Sequence, residues 1–142
     1  MKRSQRMTRI ARLSTTEEQI AAQTYAAAQR EVTTQEGQLQ SLRAYQAEYL
    51  KGLGDGAALA SYEAQKLRVF VQKIEAAILG LEQKLRGALR RCERERVRLM
   101  GHKQKVNALQ GVATRARVSE ARQAENRLQH EIDDLWRASP AE

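Results

Sequence analysis

A chain of 142 residues with 42% apolar and 4% aromatic residues, one proline and 30% charge has room for one domain but not the stock of a thick globular core. Its net charge of +8 and pI near 10.1 give a surface that attracts acidic partners. The single cysteine, Cys92, excludes an internal disulfide framework, and no stretch approaches the roughly 20 apolar residues of a membrane span, so a soluble cytoplasmic protein is expected.

The chain opens on Lys2, Arg3, Arg6, Arg9 and Arg12, with no acid before Glu17. This is the charge pattern of a transit peptide or a lipid-touching helix, but a helical pattern continues straight through it. Apolar or small residues recur in steps of three and four at Ile10, Leu13, Ile20, Thr24, Ala28, Val32, Leu39, Leu42, Tyr49 and Leu53, with Glu17, Gln35 and Gln46 filling seam positions. The spacing predicts one amphipathic helix over 8–51. Three successive steps of four, from Ile20 to Val32, are expected to interrupt the heptad and unwind the supercoil locally.

Gly52, Gly54 and Gly56 alternate across five positions, a spacing that a persistent helix does not tolerate, and they predict a glycine-rich loop over 52–58. A second helix is expected over 59–137. Its seam reads Leu67, Phe70, Ile74, Ala77, Leu81, Leu85, Ala88, Cys92, Leu99, Val106, Leu109, Ala113, Ala121, Ala124, Leu128, Ile132 and Leu135. Gly101 and Gly111 are expected to bend or fray it, since each costs about 1 kcal/mol against alanine. Pro140 closes the helical region and 138–142 is a tail.

Folding at the glycines sets apolar against apolar when paired numbers add to about 112, as in Leu42 with Phe70, Leu39 with Ile74, Val32 with Leu81, Ala28 with Leu85 and Leu13 with Leu99. Nothing in the seam supplies the β-branched repeat or buried asparagine of a parallel dimer. The expected fold is therefore all-α, a single domain over 1–142 in which two long helices form an antiparallel coiled-coil hairpin. At 1.5 Å per residue the helices reach roughly 60 Å and 110 Å. The second is thus expected to outrun the first near His102 and to project from Lys103 to Trp136, with an apolar stripe of Val106, Leu109, Ala113, Ala124, Leu128 and Leu135 that needs a partner.

Catalytic readings fail on inventory. His102 and His130 are far apart on one helix, Cys92 has no histidine at helical spacing, and no cluster has metal-ligand spacing, so neither enzyme activity nor a cofactor nor a metal is expected. The glycine run lacks the preceding strand of a phosphate-binding loop. Arg86, Arg90, Arg91, Arg94, Arg96, Arg98, Lys103 and Lys105 are interleaved with Glu82, Glu93 and Glu95, which suits a salt-bridged solvated face better than a nucleic-acid track, and no nucleic-acid partner is expected. Gln38, Leu42, Tyr45 and Tyr49 occupy i, i+4, i+7 and i+11 on one edge of the first helix, and Phe70, Ile74, Ala77 and Leu81 repeat that spacing on the second. Core packing accounts for Leu42, Phe70 and Ile74. Two tyrosine rings on a flank also fit an exposed interface patch, and the two readings stand side by side.

The run Glu36, Gln38, Leu39, Leu42, Tyr45, Gln46, Glu48 and Tyr49, the glycine loop, Phe70, Ile74, Ala77 and Ile78, and the distal Ala124-Glu125-Asn126-Arg127 with Asp133 to Trp136 resemble the FliJ family of flagellar type III export. The resemblance covers the chain from about Glu36 onward. It implies a cytosolic stalk whose hairpin is similar to the γ subunit of rotary ATPases, linking the hexameric export ATPase to the cytosolic domain of the export gate and escorting export chaperones. It further implies that the gate is contacted by Gln38, Leu42, Tyr45, Tyr49, Phe70, Ile74, Ala77 and Leu81, with Leu81 standing where a polar residue is usual. The projecting helix would enter the ATPase ring, and membrane association would be peripheral, through the gate alone. Two other readings are the equivalent stalk of a virulence-type injectisome or a generic coiled-coil scaffold, and a basic protein that binds nucleic acid or a membrane surface.

Overall fold

The computed structural model describes residues 2–55 and 61–139, and among them the chain is two helices with no strand: α1 (Arg3–Asp55) and α2 (Ser61–Ala138). The architecture is the expected all-α hairpin. By Cα proximity the chain divides into two compact units, Met1–Ala21 with Leu99–Glu142, and Ala22–Arg98. Each unit sets a length of α1 against a length of α2.

A regular heptad runs through both helices. Buried or half-buried positions alternate in steps of three and four through Ser4, Met7, Ala11, Ser14, Glu18, Ala21, Tyr25, Ala28, Val32, Gln35, Leu39, Leu42 and Gln46 in α1. The same alternation in α2 runs from Ala64 and Leu67 through Ile74, Ile78, Cys92, Glu95, Leu99, His102, Val106 and Ala113 to Glu120. The expected interruption between Ile20 and Val32 is therefore absent, because the shielded residues there are Ala21, Tyr25 and Ala28. In the N-terminal third the seam is in a different phase from the most hydrophobic residues: Leu13 is 62% exposed, Ile10 and Ile20 are also exposed, and small Ser4, Ala11, Ser14 and Ala21 are buried instead. Small side chains let two helices approach closely, a geometry that substitutes for bulky apolar contact.

In the unit Ala22–Arg98 the core is Leu39, Ile74 and Ile78, with Leu42, Leu81 and Leu85 packed against it. Val71 and Ile78 take the seam places expected of Phe70 and Ala77, which lie exposed beside it. Arg43 bonds Glu82 at 2.9 Å, and the Tyr49 ring meets Phe70 at 4.8 Å. In the other unit Ser4 bonds Glu120, and Glu17 lies 3.7 Å from Lys105 and 3.9 Å from His102.

These facing pairs add to between 119 and 125 rather than about 112, so Leu13 with Leu99 and Val32 with Leu81 are not in register. The cause is at the fold-back. Helix α1 continues through Gly52 and Gly54 to Asp55, past the expected end at 51, and α2 is already helical at Ser61. The remainder of the expected loop lies outside the described residues. Helix α1 also starts at Arg3 rather than near residue 8, which carries pairing on to Glu120. The projecting segment is accordingly shorter than Lys103–Trp136: exposure is continuous only from Ala121 to Ser139. Helix α2 runs unbroken through Gly101 and Gly111, where a bend was expected.

Candidate partner-binding surfaces

Two surfaces carry the residues singled out in the sequence. The first lies in the unit Ala22–Arg98, where α1 and α2 present the same flank beside the Leu39–Ile74–Ile78 core. Gln38, Leu42, Tyr45 and Leu81 line one shallow groove together with Thr33, Thr34, Gly37 and Ser41. Tyr45 is 58% exposed, whereas Ile74 is only 7% exposed and supports the flank from beneath. Nearer the fold-back, Tyr49 and Phe70 meet edge to face at 69°, with both rings partly open to solvent. Such a pair contributes about 0.5–1.5 kcal/mol beyond its buried area and holds each ring in one orientation. Ala77 follows Phe70 by seven residues, on the same exposed face of α2. Of the eight residues, Leu42, Ile74 and Leu81 are buried or half-buried, and Gln38, Tyr45, Tyr49, Phe70 and Ala77 are exposed.

Sequence reasoning overlooked the continuation of this surface along α2. Tyr62, Gln65, Lys66, Val69, Phe70 and Lys73 form a second shallow concavity, with the Lys66 ammonium 4.4 Å from the centre of the Tyr62 ring. The signal was present as Tyr62, Val69 and Phe70 at helical spacing. It went unread because seam phase was assigned to Phe70.

The second surface is the distal end of α2. Of its six expected residues, Val106 (5% exposed) and Ala113 are buried in the seam and Leu109 is half-buried there, all against α1, so they do not project. Ala124, Leu128 and Leu135 are exposed, as are Ile132 and Trp136, the last at 77%. Glu120 marks the boundary. Its carboxylate accepts the Ser4 hydroxyl at 2.5 Å and the Ser4 backbone N–H at 3.1 Å, which ties the start of α1 to α2. The hydroxyl bond, then the backbone bond, holds this carboxylate below its ordinary titration range. No spacing rule pointed to that pair, since it joins residues 116 apart.

Among the described residues no group of three or more His, Cys, Asp or Glu is placed to hold a metal, and no helix is long and apolar enough to cross a membrane. Cys92 is a free thiol, half-buried in the seam. In the basic stretch Arg96 forks onto Glu93 at 2.7 and 2.9 Å and Arg98 reaches Glu95 at 3.5 Å, both at i,i+3. These pairs offset part of the field that a phosphate backbone would meet.

The model of the family described as flagellar FliJ protein matches residues 2–139, nearly the whole chain. The chain belongs to the FliJ family. Comparison with curated proteins and with solved structures gave no match. Membership extends the resemblance seen from Glu36 onward to the N-terminal third, and makes the chain a flagellar export-related protein of a non-catalytic, coiled-coil family. In this FliJ chain Tyr45, Tyr49 and Phe70 and the end of α2 beyond Glu120 are exposed.

Proposed function

We propose that the chain is a stalk and adaptor of the flagellar type III export apparatus, docking through its aromatic flank onto the cytosolic domain of the export gate and through the exposed end of α2 into the export ATPase hexamer. The observation that carries this reading is the assembly of Gln38, Leu42, Tyr45 and Leu81 in one groove beside the Tyr49–Phe70 ring pair. A two-helix seam has no use for that many partly exposed rings, whereas interfaces are enriched in tyrosine at their anchor points. For the ATPase the docking residues are Ala124, Leu128 and Leu135. Val106, Leu109 and Ala113 are already engaged with α1 and serve the hairpin first. Escort of export chaperones, a peripheral position beneath the inner membrane and the lack of any catalytic activity belong to the same reading.

The test is a double substitution, Tyr45→Ala with Tyr49→Ala, in the full chain. Both side chains are more than one-third exposed, so helicity by circular dichroism should stay within a few per cent of the parent, while affinity for the isolated cytosolic gate domain should drop at least about tenfold, as for loss of two anchor residues. Unchanged affinity by calorimetry, with motility intact in a complemented strain, would remove the flank from the interface.

A further inference from the structure

The apolar stripe at the distal end of α2 is not a continuation of the hairpin seam. Beyond Glu120 the heptad that shields α2 would pass through Gln123, Arg127, His130, Asp134 and Arg137, all polar. The apolar residues Ala121, Ala124, Leu128, Ile132 and Leu135 lie one step round the helix, on a neighbouring face, and all are exposed. A longer α1 held in the same phase would leave them uncovered. Their spacing is also symmetric: steps of three, four, four and three read the same in either direction from Leu128.

A stripe with that symmetry is complementary to itself about a two-fold axis. We infer that the segment from Ala121 to Ala138 pairs with the same segment of a second copy of this chain, antiparallel, with Leu128 on the axis. Leu128 then meets Leu128, Ala124 meets Ile132, and Ala121 meets Leu135. The flanking charges agree with this register. Arg127 and Glu131 lie on one side of the stripe, and across the axis Arg127 comes within about two residues' rise, roughly 3 Å along the helix, of the partner copy's Glu131 and equally of its Arg127, so two attractions meet one repulsion on that side. On the other side Arg122 falls beside the partner copy's Trp136, a pairing of guanidinium with an aromatic face. Glu125 faces the partner copy's Gln129. In a parallel pairing Arg127 and Glu131 would each lie at the same height as their own copies.

Five layers over about 21 Å make a small interface, in the class of transient contacts below about 1,200 Å², so a dissociation constant in the micromolar range is expected. This inference does not rest on docking at the gate or the ATPase. A second copy on this stripe would, however, compete with any other protein that uses Leu128 and Leu135.

Sedimentation velocity of the full chain, from about 1 to 300 µM, tests it. A monomer–dimer equilibrium is expected, weakened at least about tenfold by Leu128→Asp at unchanged helicity. Arg127→Glu and Glu131→Arg should each weaken self-association alone, and an equimolar mixture of the two variants should restore it as a heterodimer. That result cannot arise from changed helicity within one chain. In a Cys92→Ser background, Leu128→Cys should form an intermolecular disulfide on mild oxidation, while Ala121→Cys and Leu135→Cys should do so only when mixed with each other. A chain that stays monomeric throughout, a dimer indifferent to Leu128→Asp, or self-crosslinking at Ala121→Cys would each overturn the inference, the last by showing a parallel pair.

Discussion

At the residue scale, burial separates side chains that the sequence makes look alike. Ile74 and Ala77 are three residues apart on α2, yet Ile74 sits in the core with Leu39 and Ile78 while Ala77 is exposed. Ile74→Ala removes a buried branched side chain and should cost about 2–4 kcal/mol in urea unfolding, whereas Ala77→Ser should stay within about 0.5 kcal/mol. Leu13→Ser, at 62% exposure, should be equally silent although leucine is the archetypal seam residue. Glu120 supplies the pH-dependent prediction. Its titration is lowered by the Ser4 hydroxyl, then by the Ser4 backbone N–H, with Lys2 contributing a smaller attraction. A carboxylate whose folded-state pKa is depressed stabilises the fold at neutral pH and loses that contribution as pH falls through the depressed value. Protection of the Ser4 amide should therefore be lost, as acid is added, at a lower pH than a free glutamate titrates. In Glu120→Gln the change through that acid range should be absent, read by amide exchange in nuclear magnetic resonance.

At the element scale, the glycines of α2 are costs without structural return. Gly101 has no positive φ, and a Cβ added there would meet nothing within 4 Å. Gly101→Ala should raise stability by about 0.5–1 kcal/mol, seen as a higher urea midpoint with unchanged slope. Helix α2 nonetheless stays helical through Gly101. The two helices, and the membership of Leu39 and Ile74 in one core, were legible because apolar residues mark the seam from Ala28 onward at heptad spacing. The N-terminal phase was not, because there the buried residues are Ser4, Ala11, Ser14 and Ala21, which hydropathy alone ranks below Ile10, Leu13 and Ile20. Register was illegible for a different reason. Glycine weakens a helix by only about 1 kcal/mol, and α1 stays helical through Gly52 and Gly54. That extension shifts every facing pair and brings Val106 and Ala113 into the seam. The shared face of Gln38, Leu42, Tyr45 and Tyr49 within α1 does not depend on that register, since spacings of four and seven are set by one helix alone.

At the scale of the whole molecule, the two compact units are held by seams of different quality. Ala22–Arg98 buries Leu39, Ile74 and Ile78 with three further leucines against them. The unit made of Met1–Ala21 and Leu99–Glu142 buries Ala11, Ala21, Val106 and Ala113 beside the serines Ser4 and Ser14, and its cross-helix polar links are Ser4 with Glu120 and the approach of Lys105 and His102 to Glu17. At about 25 cal/mol per Å² of apolar surface, alanine and serine layers contribute a fraction of what leucine and isoleucine layers do, and surface ion pairs add at most about 1 kcal/mol each. Opening should then proceed in stages rather than all at once. Under native conditions, hydrogen exchange should protect the amides flanking Leu39, Ile74 and Ile78 longest, with those near Ala11 and Val106 exchanging through an earlier opening and those beyond Ala121 fastest. Ser14→Leu, placed at a buried seam position, sharpens the test. If close approach through small side chains holds this unit together, the larger residue should speed exchange at Ala11 and Val106 while leaving Leu39 and Ile74 unchanged. If the seam were merely underfilled, the same substitution would slow exchange at both.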